Sequence, residues 1–156
     1  MAVDSETGTS ELEELVAELS LSGSLVFVFG GGPSTAHLRG RTRPVFRGPA
    51  ERRWWHVDHG DRDSNWILDV RLDQIDVVRF LREPNPYPSF PGEESLVVRF
   101  EEAGGPALSC YLEGVYDGQL FRPERLEAWE RLRRRYGDRD SSAVVDGSLR
   151  PVAAAA

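Results

Sequence analysis

In Trp66-Ile67-Leu68-Asp69-Val70-Arg71-Leu72 the even positions are apolar and the odd positions include Asp69 and Arg71. A two-residue period of this kind buries one face of a strand and wets the other. Further strand patterns lie on both sides of it. Leu25–Phe29 reads as a strand followed by a Gly30-Gly31-Gly32-Pro33 turn, and Arg53–His59, Ile75–Leu81 and Leu96–Phe100 extend the series. Ala36–Arg39 and Val45–Arg47 carry the same signal more faintly. Four prolines between Glu83 and Gly92 forbid a regular ladder there and predict a stiff loop.

Helices bracket the strands. Ser10 followed by Glu13 is a capping-box pattern, and Leu12, Leu15, Val16 and Leu19 then share one helical face up to Gly23. Near the other end Pro123 suits a first helical turn and Gly137 a C-terminal cap. Leu126, Trp129, Leu132 and Tyr136 form the apolar stripe between them. The pattern predicts one α+β domain over residues 10–137, with a frayed N-terminus over 1–9 and a flexible tail over 138–156.

Bulk properties remove several functions. The net charge of -7 argues against a non-specific nucleic-acid binder, which needs a basic face. All 19 basic residues are arginine, so Schiff-base lysine chemistry and a Walker lysine are excluded. One cysteine, Cys110, permits no internal disulfide, and its apolar neighbours predict a buried, inert thiol. The acidic start lacks the marks of a signal peptide, and no apolar run approaches the roughly 20 residues that span a bilayer. A cytoplasmic protein without membrane or nucleic-acid partners is expected.

The chemistry-bearing residues concentrate in one place. Trp54, Trp55, His56, His59 and Trp66 fall within thirteen residues, interleaved with Asp58, Asp61, Asp63 and Asn65. Asp61-x-Asp63-x-Asn65 imitates the start of a calcium loop, but Trp66 stands where that loop needs glycine and Leu72 where it needs a bidentate glutamate. A polar hairpin turn is expected instead. If Arg53–His59 is a strand, His56 and His59 point to opposite faces and cannot grip one ion together. A single histidine serving as axial ligand to a planar metallocofactor needs no such pairing.

From Trp54 onward the order of features resembles the ChuX/HutX and HemS family of intracellular haem-utilisation proteins. The resemblance rests on the paired-aromatic strand Trp54-Trp55-His56-Val57, the turn His59-Gly60 and Asn65-Trp66-Ile67. It continues through the Ile75–Pro84 segment, Ser95-Leu96-Val97-Val98-Arg99-Phe100 and Gly104-Gly105. It implies a curved antiparallel β-meander sheet flanked by an N-terminal and a C-terminal helix, and a homodimer that binds, delivers or stores haem. Trp66 stands where the family's short element places histidine, so only His56 and His59 are near enough to donate to iron. Trp54, Trp55 and Trp66 would then wall the haem, and Arg52, Arg53 or Arg82 would meet its propionates. A non-catalytic haem or tetrapyrrole carrier is the first expectation. A relative that kept the fold without haem and serves as an interaction or regulatory module is the second, and a haem-degrading enzyme the third.

Overall fold

The computed structural model describes residues 10–30, 34–85, 92, 94–103, 105–118, 120–137 and 144–146. Helix α1 (Glu11–Leu21) opens the domain, followed by β1 (Leu25–Phe29), β2 (Ala36–Gly40) and β3 (Val45–Arg47). Strands β4 (Trp54–Gly60) and β5 (Asn65–Arg71) form a hairpin, and β6 (Val77–Pro84), β7 (Glu94–Glu102) and β8 (Gly105–Leu112) follow. A two-stranded ribbon of β9 (Tyr116–Asp117) and β10 (Leu120–Phe121) leads into α2 (Pro123–Tyr136) and then β11 (Val144–Asp146). The architecture is α+β, mostly antiparallel and unclosed. The frayed start expected over 1–9, the proline segment 86–91 and most of the expected tail lie outside the described residues. Within that tail, Val144–Asp146 pairs parallel to β6.

Apart from the β9–β10 ribbon, the strands divide between two sheets. Six run in the order β11-β6-β7-β8-β1-β2, while β3-β4-β5 form a separate layer. Antiparallel pairing of β1 with β8, Leu25 opposite Leu112 and Phe27 opposite Cys110, joins the two ends of the strand series. In β4 and β5 the two-residue period turns Trp55, Val57 and Val70 inward, all buried. Trp55 meets Phe27 of β1 at 5.8 Å and Phe100 of β7 at 6.0 Å between ring centroids, so this one indole couples the small sheet to the large one. Cys110 is fully buried, and burial pushes its thiol well above the ordinary range, as an inert core cysteine requires.

The helices close the same core. Leu15, Val16 and Leu19 of α1 and Trp129, Leu132 and Tyr136 of α2 are buried. Trp129 donates its indole N–H to the Val97 carbonyl at 3.3 Å, fixing α2 against β7. Arg125 donates to the carbonyls of Ser22, Ser24 and Glu113, tying the first turn of α2 to the α1–β1 connection. No helix among the described residues is long and apolar enough to cross a membrane.

The capping box forms as the sequence predicts. Ser10 Oγ accepts the Glu13 amide at 3.2 Å, and Glu13 Oε2 accepts the Ser10 amide at 3.1 Å. Glu13 also receives Arg53 Nε at 2.6 Å, so the cap is bolted to the start of β4. Burial alone would raise the Glu13 carboxyl, but the Arg53 and Ser10 hydrogen bonds outweigh it and hold the group below its ordinary value. Replacing Ser10 with alanine is expected to lower stability by about 1 kcal/mol, read as a lower urea midpoint at unchanged slope.

Candidate functional site

The β4–β5 hairpin carries every aromatic and histidine of the sequence cluster. Its turn is closed by Asp61, whose Oδ1 accepts the amides of Asp63 at 2.8 Å and Ser64 at 2.7 Å. Those backbone donors, with the His59 ring, hold the Asp61 carboxyl below its ordinary value. The acidic run is therefore a turn, and among the described residues no three histidine, cysteine or acidic side chains gather as a metal cluster.

Strand β4 runs unbroken through Asp58, so the two histidines occupy opposite faces. His59 lies inward. Its ring stacks on Trp66 at 5.3 Å and 26°, and Trp66 meets the edge of Phe27 at 5.6 Å. His59 Nδ1 faces the Arg41 carbonyl at 3.2 Å and Nε2 faces Asp61 Oδ2 at 3.1 Å. Trp66 donates its indole N–H to the Arg39 carbonyl at 3.2 Å. Both side chains thus join the end of β2 to the hairpin, and both His59 nitrogens already face acceptors.

His56 lies on the outer face, with Trp54 two residues before it and Asp58 two after. The β4–β5 register sets it opposite Asp69, and Nδ1 stands 2.6 Å from Asp69 Oδ1. An ionised carboxylate only accepts, so Nδ1 carries a proton, and in the neutral ring Nε2 is the nitrogen left with its lone pair. Asp58 Oδ2 is 3.8 Å from Nε2, beyond hydrogen-bond length, on a side chain 70% exposed. Exposed Val45, from β3, and exposed Ile67, opposite Asp58, supply apolar surface on the same face. The Arg71 guanidinium covers the Trp54 ring at 5.2 Å while held by Asp73. A cleft of about 470 Å³ opens between the far end of β4 and the β2–β3 connection, lined by Arg41, Arg43, Val45, Asp58, His59 and Gly60; His56 is not among its walls.

The hairpin therefore brings Trp54 together with His56, and Trp66 together with His59, but not one pair with the other. Trp55 is core, closed off from any ligand. Arg53 is committed to Glu13 and to the Gly48 carbonyl. Arg82 stands on the large sheet, paired with Glu94 at 2.8 Å and laid over the Phe121 ring at 5.0 Å. Asp69, Arg41 and Arg43 are the residues that sequence reasoning left out. Asp69 was recoverable: with Gly60 opposite Asn65, four steps back along each strand meet His56 and Asp69.

No protein-family model matches the sequence, and no curated protein matches it significantly. Solved structures do match. A protein of Erwinia carotovora superposes at a TM-score of 0.56 and 11% identity, over 77% of this chain and 68% of its own. A protein of Agrobacterium tumefaciens gives 0.54 and 19%, over 75% of this chain and 62% of its own. ChuX gives 0.52 and 10%, over 78% of this chain and 69% of its own. The chain has the fold of ChuX. At these identities the likeness to ChuX is one of fold, and a fold does not carry its chemistry with it. The chain spans about three-fifths of the Agrobacterium protein's length.

Proposed function

We propose that this chain is a non-catalytic carrier of haem or a related planar tetrapyrrole, working as a cytoplasmic homodimer, with the His56 imidazole as axial donor. One observation carries the reading. On the outer face of the hairpin, largely buried His56 has Nδ1 held by the Asp69 carboxylate at 2.6 Å, while Nε2 has no acceptor within hydrogen-bond length among the described residues. Histidines that ligate metals are held in this way. The ChuX fold supports the same direction. Trp54, Val45 and Ile67 supply apolar surface for a flat macrocycle, and Arg41 and Arg43 supply cations for its carboxylates. The residues present fit the group, and a carrier asks nothing of the iron beyond coordination.

A second reading keeps the fold without the iron site and makes the chain an interaction or regulatory module. It is favoured by Trp66, which stands at the family's histidine position and is built into the β2 junction. Optical titration with hemin at neutral pH separates the two. The wild-type protein is expected to saturate near one hemin per chain with a sharp Soret band. His56→Ala is expected to lose that band and His59→Ala to keep it. A non-saturating, featureless response in the wild type would defeat the carrier and leave the second reading. Loss of the band in His59→Ala alone would move the donor to the inner face.

A further inference from the structure

We infer that Asp69 is the positioning residue of this site: it locks His56 in the tautomer that carries its proton on Nδ1, so that Nε2 is the donor offered to a ligand. The inference deepens the proposed haem role and rests on it for its use, but the tautomer can be read without haem. Three observations carry it. The 2.6 Å separation between Nδ1 and Oδ1 is that of a charge-assisted hydrogen bond. The two residues are direct cross-strand partners in a seven-pair ladder, so the contact is held by backbone register and not by a chance rotamer. The His56 side chain is only 11% exposed while Asp69 is 48% exposed, so the ring is confined and its orienting partner lies at the solvent edge.

Asp58 is the rival partner, and geometry ranks it second. Its carboxylate stands 3.8 Å from Nε2, with its side chain free to swing in solvent. If Asp58 took the ring proton instead, Nε2 would carry hydrogen and the donor would be Nδ1, which Asp69 covers. The Asp69 contact therefore decides which nitrogen meets a ligand.

The experiment is ¹⁵N NMR of the full-length, hemin-free protein with labelled histidine, in the wild type and in Asp69→Ala, Asp69→Asn and Asp58→Ala, with hemin titrations run on the same samples. The wild-type His56 is expected to show a single tautomer protonated on Nδ1. Asp69→Ala should give mixed tautomers, and its hemin affinity should fall roughly 10–100-fold. In Asp69→Asn the side-chain carbonyl can still accept from Nδ1, so most of the single tautomer should return. Asp58→Ala should leave the tautomer in place. A His56 tautomer indifferent to both Asp69 changes, or protonated on Nε2 in the wild type, overturns the inference whatever hemin does. Failure of the wild type to bind hemin, with the tautomer responding as expected, defeats the haem reading alone and leaves Asp69 as the residue that orients His56.

Discussion

Trp55→Ala is expected to lower stability by about 3–5 kcal/mol, the range for deleting a fully buried large aromatic. The indole is closed to solvent and lies between Phe27 and Phe100, so its removal opens a cavity where the two sheets meet. A domain of this size has about 5–15 kcal/mol in total, so the variant should be near the edge of folding. Trp55→Phe should cost much less. It keeps an aromatic ring between the two phenylalanines and removes an indole N–H that is buried without a hydrogen-bond partner among the described residues. Trp54→Ala, one residue away on the outer face, should lose only its contact with Arg71, worth about 0.5–1 kcal/mol at an exposed site. Urea unfolding of the three variants gives the order. Equal losses at Trp54 and Trp55 would contradict the assignment of the two faces.

That contrast marks what a sequence of this kind reveals. Period-two alternation is a local signal, so residue order alone shows the strands of the hairpin and sets His56 and His59 on opposite faces. Which face turns inward, and hence that Trp55 is core rather than a ligand wall, is settled only by packing. Capping is local as well, and Ser10, Glu13, Pro123 and Gly137 place both helices within a residue or two of their observed ends. The pairing of β1 with β8 is not local. Its partners are more than eighty residues apart, and β8 opens with Gly105-Pro106 and carries Ser109, which blurs its apolar alternation.

The candidate site divides along the same line. The density of tryptophan and histidine locates it, because those residue types are rare elsewhere in the chain. Partner choice is hidden, since it depends on which side chains tertiary packing commits elsewhere. Arg53 and Arg82 look available as cations in the sequence, yet one serves the cap of α1 and the other holds Glu94. Asp69 reads as an ordinary wet-face residue of β5 until register sets it against His56. Arg41 and Arg43 reach the cleft only because the end of β2 is drawn onto the hairpin by His59 and Trp66.

That junction yields the second large effect. Gly40→Ala is expected to destabilise the fold by roughly 1–3 kcal/mol through overpacking. A Cβ at this position would stand 2.4 Å from His59 Nδ1 and 2.6 Å from Cε1, far inside contact distance. The ring cannot retreat, because Trp66 stacks on it and its nitrogens face the Arg41 carbonyl and Asp61. In a His59→Ala background the obstruction is gone, so the same glycine change should cost much less. The double-mutant cycle should show a coupling of about 0.5–3 kcal/mol, the range for residues in direct contact. Equal costs in both backgrounds would mean that something other than the imidazole requires glycine here. The cycle also separates structure from ligand chemistry. His59 braces β2 from the inner face while His56 faces outward, so His59→Ala should weaken the fold and leave the His56 tautomer as it is in the wild type.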